Sequence, residues 1–268
     1  MTHKANLEDF RELIEKETGP FTVVKEVSDG LNSEVSVIVR AGDDITFVKG
    51  REAGHRWVWT QERERAVNPA VRHISPGLKW SARNDAWDLN GFEYVPGRHA
   101  DYSDGSPDIP KVAATLRQLQ EIQCPDTELK QADQRWKAYT DTPGLLTGTS
   151  LLHTEWTPGN VLVSDRAYLV DWAWPTRGAA WIDPACWTVW LIAAGHTPRS
   201  AERHAALVPS WHDAPVGSLD EFARAQARMW AEIAAGSTQP WTRNLAAASR
   251  QWASHRQPRP SRKGHHDE

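Results

Sequence analysis

Residues Leu151 to Pro175 read LLHTEWTPGNVLVSDRAYLVDWAWP. The stretch opens on two leucines, passes through a polar loop holding His153, Glu155 and Asn160, and continues into Val161-Leu162-Val163. A second apolar segment, Tyr168-Leu169-Val170, runs up to Asp171. Short apolar runs set off by turn residues have the length and composition of strands. A loop between two such strands can bring Asn160 close to Asp171. The Glu155 carboxylate can orient or deprotonate a hydroxyl. An amide and a second carboxylate offer Mg²⁺ hard oxygen ligands and leave its remaining positions to water and phosphate. Those are the groups that phosphoryl transfer needs. Singly, Asn160 suits a turn after Pro158-Gly159, and Asp171 suits a helix cap or a surface acid. Together, at His-x-acid-x-x-x-x-Asn spacing, they favour chemistry over architecture. His153 is expected to pack and hydrogen-bond so as to hold the loop, rather than to act as the base.

Upstream, strand and turn signals alternate. Leu7 to Glu17 places Leu7, Phe10, Leu13 and Ile14 at helical spacing. Phe21–Val27, Val35–Arg40 and Ile45–Lys49 read as strands, with turns at Asp29-Gly30-Leu31-Asn32-Ser33 and Gly42-Asp43-Asp44. Arg56–Val67 reads as a helix stopped near Asn68-Pro69. Lys79–Arg83 and Trp87–Val95 form a hairpin about Asn84-Asp85. Lys49 closes its strand where a lysine can face a cleft and bridge phosphates, and it needs a carboxylate from the following helix. Glu62 and Glu64 lie two apart, so only one can point inward. Glu64 shares a face with Val67, Trp57 and Val71 and is the expected partner, with Glu62 second. The turn ending at Ser33 can fold over phosphates through its backbone N–H groups, although a plain hairpin turn explains it equally well. Phe92 to Gly97, with Glu93 and Val95, is the candidate hinge whose backbone reads an adenine edge.

Downstream, Pro96-Gly97 ends the strand-rich block. The loop Arg98–Pro110 carries Asp101, Asp104 and Asp108, an acidic set suited to a polycationic substrate or simply to a solvated linker. Lys111–Glu121 is a helix with Val112, Thr115, Leu116 and Leu119 on one face. Leu129–Tyr139 reads as helical, as do 184–195, 199–207, 219–235 and 240–254. The expected organisation is a nucleotide-binding, β-rich lobe over 1–95, a mostly helical catalytic and acceptor-binding lobe over 96–254, and a disordered tail over 255–268. Trp156, Trp172 and Trp174 flank the acids and are candidate walls of a substrate pocket, suited to a cationic or ring-shaped molecule. Trp187 and Trp190, a helical i,i+3 pair, read as core. Asp183-Pro184 reads as a helix N-cap with proline at the first helical position.

The chain has 268 residues, 40% of them hydrophobic, which is enough for one large domain or two lobes sharing a cleft. A net charge of −4 argues against nonspecific nucleic-acid binding. Two cysteines, Cys124 and Cys186, give neither a disulfide framework nor a metal-ligand spacing, which fits a reducing cytoplasm. The N-terminus has no apolar signal core, and no apolar run approaches the ~20 residues of a membrane span. A cytoplasmic protein without nucleic-acid or membrane partners is expected.

On these residues the chain resembles the aminoglycoside phosphotransferase family of kinase-like enzymes. The stretches that carry the resemblance are FVKG at 47–50, QERERAV at 61–67, GFEYVPG at 91–97, HTEWTPGNVLV at 153–163, LVDWAWP at 169–175 and WIDPACW at 181–187. The resemblance implies an α+β, bilobal, protein-kinase-like fold with a small β-rich N-lobe and a larger, mostly helical C-lobe. It implies ATP or GTP as donor, Mg²⁺, and transfer of the γ-phosphoryl to a hydroxyl of a small molecule, with an aminoglycoside-type antibiotic among the acceptors. By that resemblance Glu155 sits at the catalytic base with His153 beside it, and Asn160 and Asp171 sit at the metal. Lys49 meets the phosphates, and Glu64, Ser33, Glu93 and Val95 complete the nucleotide site. Glu155 departs from the family's aspartate. It keeps a second function open, a nucleotide-binding pseudokinase or scaffold with little turnover. Trp-Ala-Trp-Pro after Asp171 lacks the DFG of protein kinases and argues against that class.

Overall fold

The computed structural model describes residues 7–27 and 33–257. The turn at 29–32 and the tail from 258 onward lie outside the described residues. The N-terminal half holds α1 (Arg11–Thr18), β1 (Thr22–Glu26), β2 (Val35–Ala41), β3 (Asp44–Glu52), α2 (Trp59–Val71), β4 (Leu78–Arg83) and β5 (Trp87–Glu93). The five strands form one antiparallel sheet in the order β1-β2-β3-β5-β4.

Alternation along this sheet decides where Lys49 points. Val35, Val37 and Val39 of β2, Val48 of β3, and Trp87 and Leu89 of β5 pack with Ile14 of α1 and Phe10 just before it into one core. Lys49 follows Val48 and so lies on the other face. Its direct partners are Ser36 on β2 and Asn90 on β5. Phe47, two residues back, pairs with Ile38 and Phe92 on that same face. The sheet therefore has an apolar underside against α1 and a mixed upper face against α2 and a cleft. β1 is an edge strand exposed along its whole length, so the alternation expected there is not seen.

α2 runs past the expected stop, with Pro69 inside its last turn. Pro69 faces solvent while Val67, Asn68 and Val71 are buried. One forgone backbone bond near the helix end costs less than releasing those anchors. Asn68 is held as well, donating to the Pro76 carbonyl at 2.8 Å and accepting from the Leu78 N–H at 2.7 Å.

The larger, mostly helical part begins with β6 (Arg98–His99) and α3 (Asp108–Gln120). α3 starts three residues before the expected Lys111, because Pro110 falls in the first turn, where N–H groups have no helical partner anyway. Next come β7 (Lys130–Gln131), α4 (Ala132–Arg135), β8 (Ser150–Leu152), β9 (Val161–Val163), β10 (Ala167–Leu169) and β11 (Thr176–Gly178). The expected continuous helix over Leu129–Tyr139 is absent. Lys130 and Gln131 are drawn into a parallel ladder with β11, and only a four-residue helix and a 3₁₀ turn follow. β9 pairs with both β10 and β6, and β11 pairs with β8.

α5 (Ile182–Ala193), α6 (Pro198–Ala205), α7 (Ser218–Ala235) and α8 (Pro240–His255) close the chain. α5 is apolar nearly all round and sits at the centre of the larger core, with Trp136, Leu151, Trp156, Trp187 and Phe222 around it. No helix among the described residues is long and apolar enough to cross a membrane.

Candidate active site

The loop between β8 and β9 carries Glu155 and Asn160, and the segment after β10 carries Asp171. β3 and α2 approach from the other lobe with Lys49 and Glu64. Lys49 Nζ lies 2.9 Å from Glu64 Oε2 and is ion-paired with Asp171 Oδ1. The second Glu64 oxygen accepts from the Trp172 N–H at 3.1 Å. One buried glutamate thus ties the N-lobe lysine to the C-lobe loop, while Glu62 points to solvent. Burial works against the Lys49 charge, but the Asp171 and Glu64 carboxylates outweigh it and raise its pKa. Burial likewise opposes ionisation of Asp171, yet Lys49 holds that carboxyl below its ordinary value. Glu64 is raised, because its burial outweighs its lysine.

His153 lies between the two loops. Its Nε2 stands 3.0 Å from the Val170 carbonyl, which can only accept, and its Nδ1 stands 3.3 Å from the Glu155 N–H, which can only donate. The ring is therefore neutral with its proton on Nε2. Burial pushes its pKa down to about 4 despite the Val170 carbonyl and Asp171. Trp172 meets the ring edge-on at 4.7 Å. His153 cannot serve as a cationic acid near neutrality. Its two ring bonds tie the Glu155 N–H to the Val170 carbonyl.

Asp183 differs from its expected place. The helix starts at Ile182 with Trp181 as its cap residue, so Asp183 lies within the first turn of α5. Its carboxylate accepts from the His153 N–H at 2.9 Å, the Thr154 N–H at 2.7 Å and the Trp156 indole at 2.9 Å. Burial lifts this carboxyl to about 6 against those donors. Held this way, Thr154 adopts φ 68°, an uncommon conformation for a β-branched residue. Asp171, at φ 63°, is the other non-glycine residue with positive φ among the described residues. Backbone strain at two positions of one site is where function concentrates it. Arg135 Nη1 braces the same loop, donating to Thr154 Oγ1 at 2.6 Å, Thr176 Oγ1 at 3.0 Å and the Trp174 carbonyl at 3.2 Å.

Glu155 lines the cleft. Burial, then the nearby Asp171 charge, push its carboxyl up to about 7, with Arg135 and Lys49 pulling the other way. Asn160 donates through Nδ2 to the Glu155 carbonyl at 3.2 Å. Its amide oxygen and the second Asp171 oxygen make a donor set of one amide and one carboxylate. No cluster of three or more His, Cys, Asp or Glu suited to a metal occurs among the described residues. Two hard oxygens beside a cleft fit Mg²⁺, which completes its shell from water and phosphate.

The cleft itself has a volume of about 600 Å³. Its roof includes Ser33, Ile38 and Phe47, and its far end is formed by Glu93, Tyr94 and Val95. The Glu93 N–H is spent on the Gly77 carbonyl at 2.8 Å. The Val95 N–H has no hydrogen-bond partner among the described residues. Every sequence-identified site residue thus borders or braces one space. The acidic loop does not. Asp108 is bound by Arg98 at 2.5 and 2.8 Å, Asp101 accepts from Ser103 at 2.9 Å, and Asp104 lies 3.7 Å from His196. Trp156 is core rather than a pocket wall, and Trp190 lines the cleft rather than being core alone. Arg135 and Gln226 carried no signal in the sequence. Asp183 carried one, lying in WIDPACW, but it read as a cap.

The fold is the one found in protein-kinase-like small-molecule phosphotransferases of known structure. Among solved structures, the chain is similar to a choline kinase from Streptococcus pneumoniae, at 13% identity and TM-score 0.62, over 92% of this chain and 99% of that one. It is similar to a thermostable mutant of an aminoglycoside phosphotransferase in ternary complex with ADP and hygromycin B, at 12% identity and TM-score 0.57, over 90% and 98% of the two chains. It is also similar to a macrolide 2′-phosphotransferase from Brachybacterium faecium, at 15% identity and TM-score 0.53, over 89% and 97%. At such identities the likeness is one of fold. No protein-family model and no curated protein matches the sequence.

Proposed function

We propose that the protein is an O-phosphotransferase that moves the γ-phosphoryl group of ATP or GTP to a hydroxyl of a small molecule. The observation that carries this reading is Lys49 bracketed by Glu64 and Asp171 in a cleft that Glu155 and Asn160 also border. The structures similar in fold include complexes with ADP and with AMP, which supports a nucleotide donor.

In this reading Val95 and Glu93 meet the base edge, and Ser33 lies by the phosphates. Lys49 holds the phosphates, kept charged and aimed by Glu64. Asn160 and Asp171 hold Mg²⁺, whose chemistry is to neutralise charge on the phosphates. Glu155 takes the proton of the acceptor hydroxyl. The acceptor oxygen forms a bond to the γ-phosphorus, the bond from that phosphorus to the β,γ-bridging oxygen breaks, and the nucleoside diphosphate leaves. A carboxyl near 7 is well matched to accept a proton at neutral pH. The loop that carries Glu155 is held by His153, Arg135 and Asp183, which fixes where its longer side chain starts.

The test is coupled-assay turnover of ATP and GTP with Mg²⁺ against a panel of hydroxylated metabolites and antibiotics. Acceptor-stimulated release of nucleoside diphosphate and a phosphorylated product are expected. Tight nucleotide binding without transfer to any acceptor would instead favour a nucleotide-binding scaffold.

A further inference from the structure

The end of the cleft beyond Glu155 has a wall that phosphoryl transfer leaves unused. α5, α7 and α8 build it from Cys186, Trp190, Gln226, Met229, Trp230 and Trp241. The Trp190 and Trp241 rings lie 6.4 Å apart and nearly parallel, at 21°. Trp230 meets both edge-on, at 6.5 and 6.0 Å. Phe222, Gln226, Met229, Trp230 and Ile233 follow helical spacing on α7, so one stripe leaves the core and becomes the pocket wall.

Two polar atoms break this apolar surface. Gln226 is 2% exposed, and while its Nε2 donates to Cys186 Sγ at 3.4 Å, its Oε1 has no partner in the protein. Trp136 is 1% exposed, also lines the cleft, and its Nε1 is likewise unpartnered. Trp136 packs edge-on to Phe222 at 5.3 Å, one helical turn before Gln226. A buried acceptor on α7 and a buried donor on the tryptophan packed against that helix each cost stability until a ligand answers them.

Charge narrows the class of ligand. The carboxylates bordering the cleft are Glu64, Glu93, Glu155 and Asp171. Lys49 takes Glu64 and Asp171, Glu93 binds the Gly77 N–H at the opposite end, and Glu155 stands at the transfer point. The wall of α5, α7 and α8 supplies none, and Arg135 adds a positive charge to the same space. A polycation finds no carboxylate there to pair with.

Resting on the phosphotransferase reading, we propose that this wall is the acceptor subsite. It takes an uncharged, ring-bearing alcohol with an amide group. The ring lies against the tryptophans, the amide N–H donates to Gln226 Oε1, and the amide carbonyl accepts from Trp136 Nε1.

Quenching of tryptophan fluorescence tests this on the full chain, with N-(2-hydroxyethyl)benzamide, 2-phenylethanol, choline and kanamycin as probes. Saturable binding of the benzamide is expected, at least roughly tenfold tighter than the other three, because it alone joins an uncharged ring to an amide donor and acceptor for the two orphaned atoms. Gln226→Leu is expected to weaken the benzamide by about tenfold and leave 2-phenylethanol unchanged. Trp241→Ala, at the partly exposed rim, is expected to weaken both ring compounds and guards against misfolding of the buried variant. Tighter binding of kanamycin or choline, no binding of the benzamide, or indifference to Gln226→Leu overturns the proposal. ATP affinity, measured separately by calorimetry, reports on the phosphotransferase reading alone.

Discussion

At Glu155, burial and a neighbouring carboxylate lift a side chain that would ordinarily be ionised well below neutrality. If it is the base, only its ionised form works. kcat/KM should therefore climb with pH through about 7 and level off above, and the Glu155→Gln variant should lose that limb together with roughly 10²–10⁴-fold of kcat while still binding nucleotide. A stopped assay across pH 5.5–8.5 checks both. The same shift has a sign in stability. A carboxyl raised in the folded state favours folding while it is protonated, below its unfolded value of 4.5, and that contribution is lost as pH rises through about 7. Compared with Glu155→Gln, the native chain should lose thermal stability over that window. Calorimetry showing parallel pH profiles for the two proteins would remove the carboxyl from the site. Lys49 makes a different case. Lys49→Met leaves Glu64 and Asp171 buried beside each other without their cation, a kind of loss that costs ~3–5 kcal/mol. Adding Glu64→Gln should restore part of that stability in urea denaturation but none of the nucleotide affinity.

Among the elements, the first turn of α5 governs the catalytic loop. Asp183 accepts three donors from the loop after β8, so Asp183→Ala strands the His153 and Thr154 N–H groups and the Trp156 indole in the interior. The expected loss is about 3 kcal/mol in chemical denaturation, with Asp183→Asn less affected because one amide oxygen can still accept. Transfer should fall further than stability alone explains, since these bonds and Arg135 help hold Thr154 at φ 68°. Elements also show how far the sequence could be read. The strands of the sheet, the β9–β10 hairpin and the four C-terminal helices were legible from apolar runs of strand or helix length set off by turn residues, with one-sided periodicity adding to the signal where, as in β2 and α7, one face is buried. Pairing of Glu64 rather than Glu62 with Lys49 followed from the same logic. Three things were not legible. Pro69 sits inside α2 because tertiary anchors outweigh a local breaker. Lys130-Gln131 became a strand because a partner distant in sequence supplied the ladder. Arg135 and Gln226 gave no local sign, since their roles exist only once α4 and α7 meet the loop.

Across the whole molecule, one feature couples the lobes. Glu64 reaches Lys49 with one oxygen and the Trp172 N–H with the other, and Ser75 adds a bond from the Trp172 indole at 3.0 Å. The sheet of the smaller lobe and the loops of the larger one thus share a single polar seam at the back of the cleft. A nucleotide lying in that cleft touches both sides of the seam and should stabilise the protein as a unit, by RT ln(1 + [L]/Kd), or about 2.7 kcal/mol at a hundredfold excess over Kd. On the proposed reading Asn160 and Asp171 would be the protein's two ligands to the metal, too few to chelate it strongly, so most of its shell would come from water and phosphates. Binding of metal and nucleotide should therefore be interdependent. Mg²⁺ alone should leave the melting temperature unmoved, ATP with EDTA should raise it slightly, and ATP with Mg²⁺ should raise it by several degrees. Asp171→Asn should abolish the difference between the two ATP conditions, whereas Gln226→Leu, remote from the phosphates, should preserve it. Differential scanning fluorimetry across those three conditions, against the ligand-free protein, decides the matter, and a shift produced by Mg²⁺ without nucleotide would contradict a two-ligand metal site.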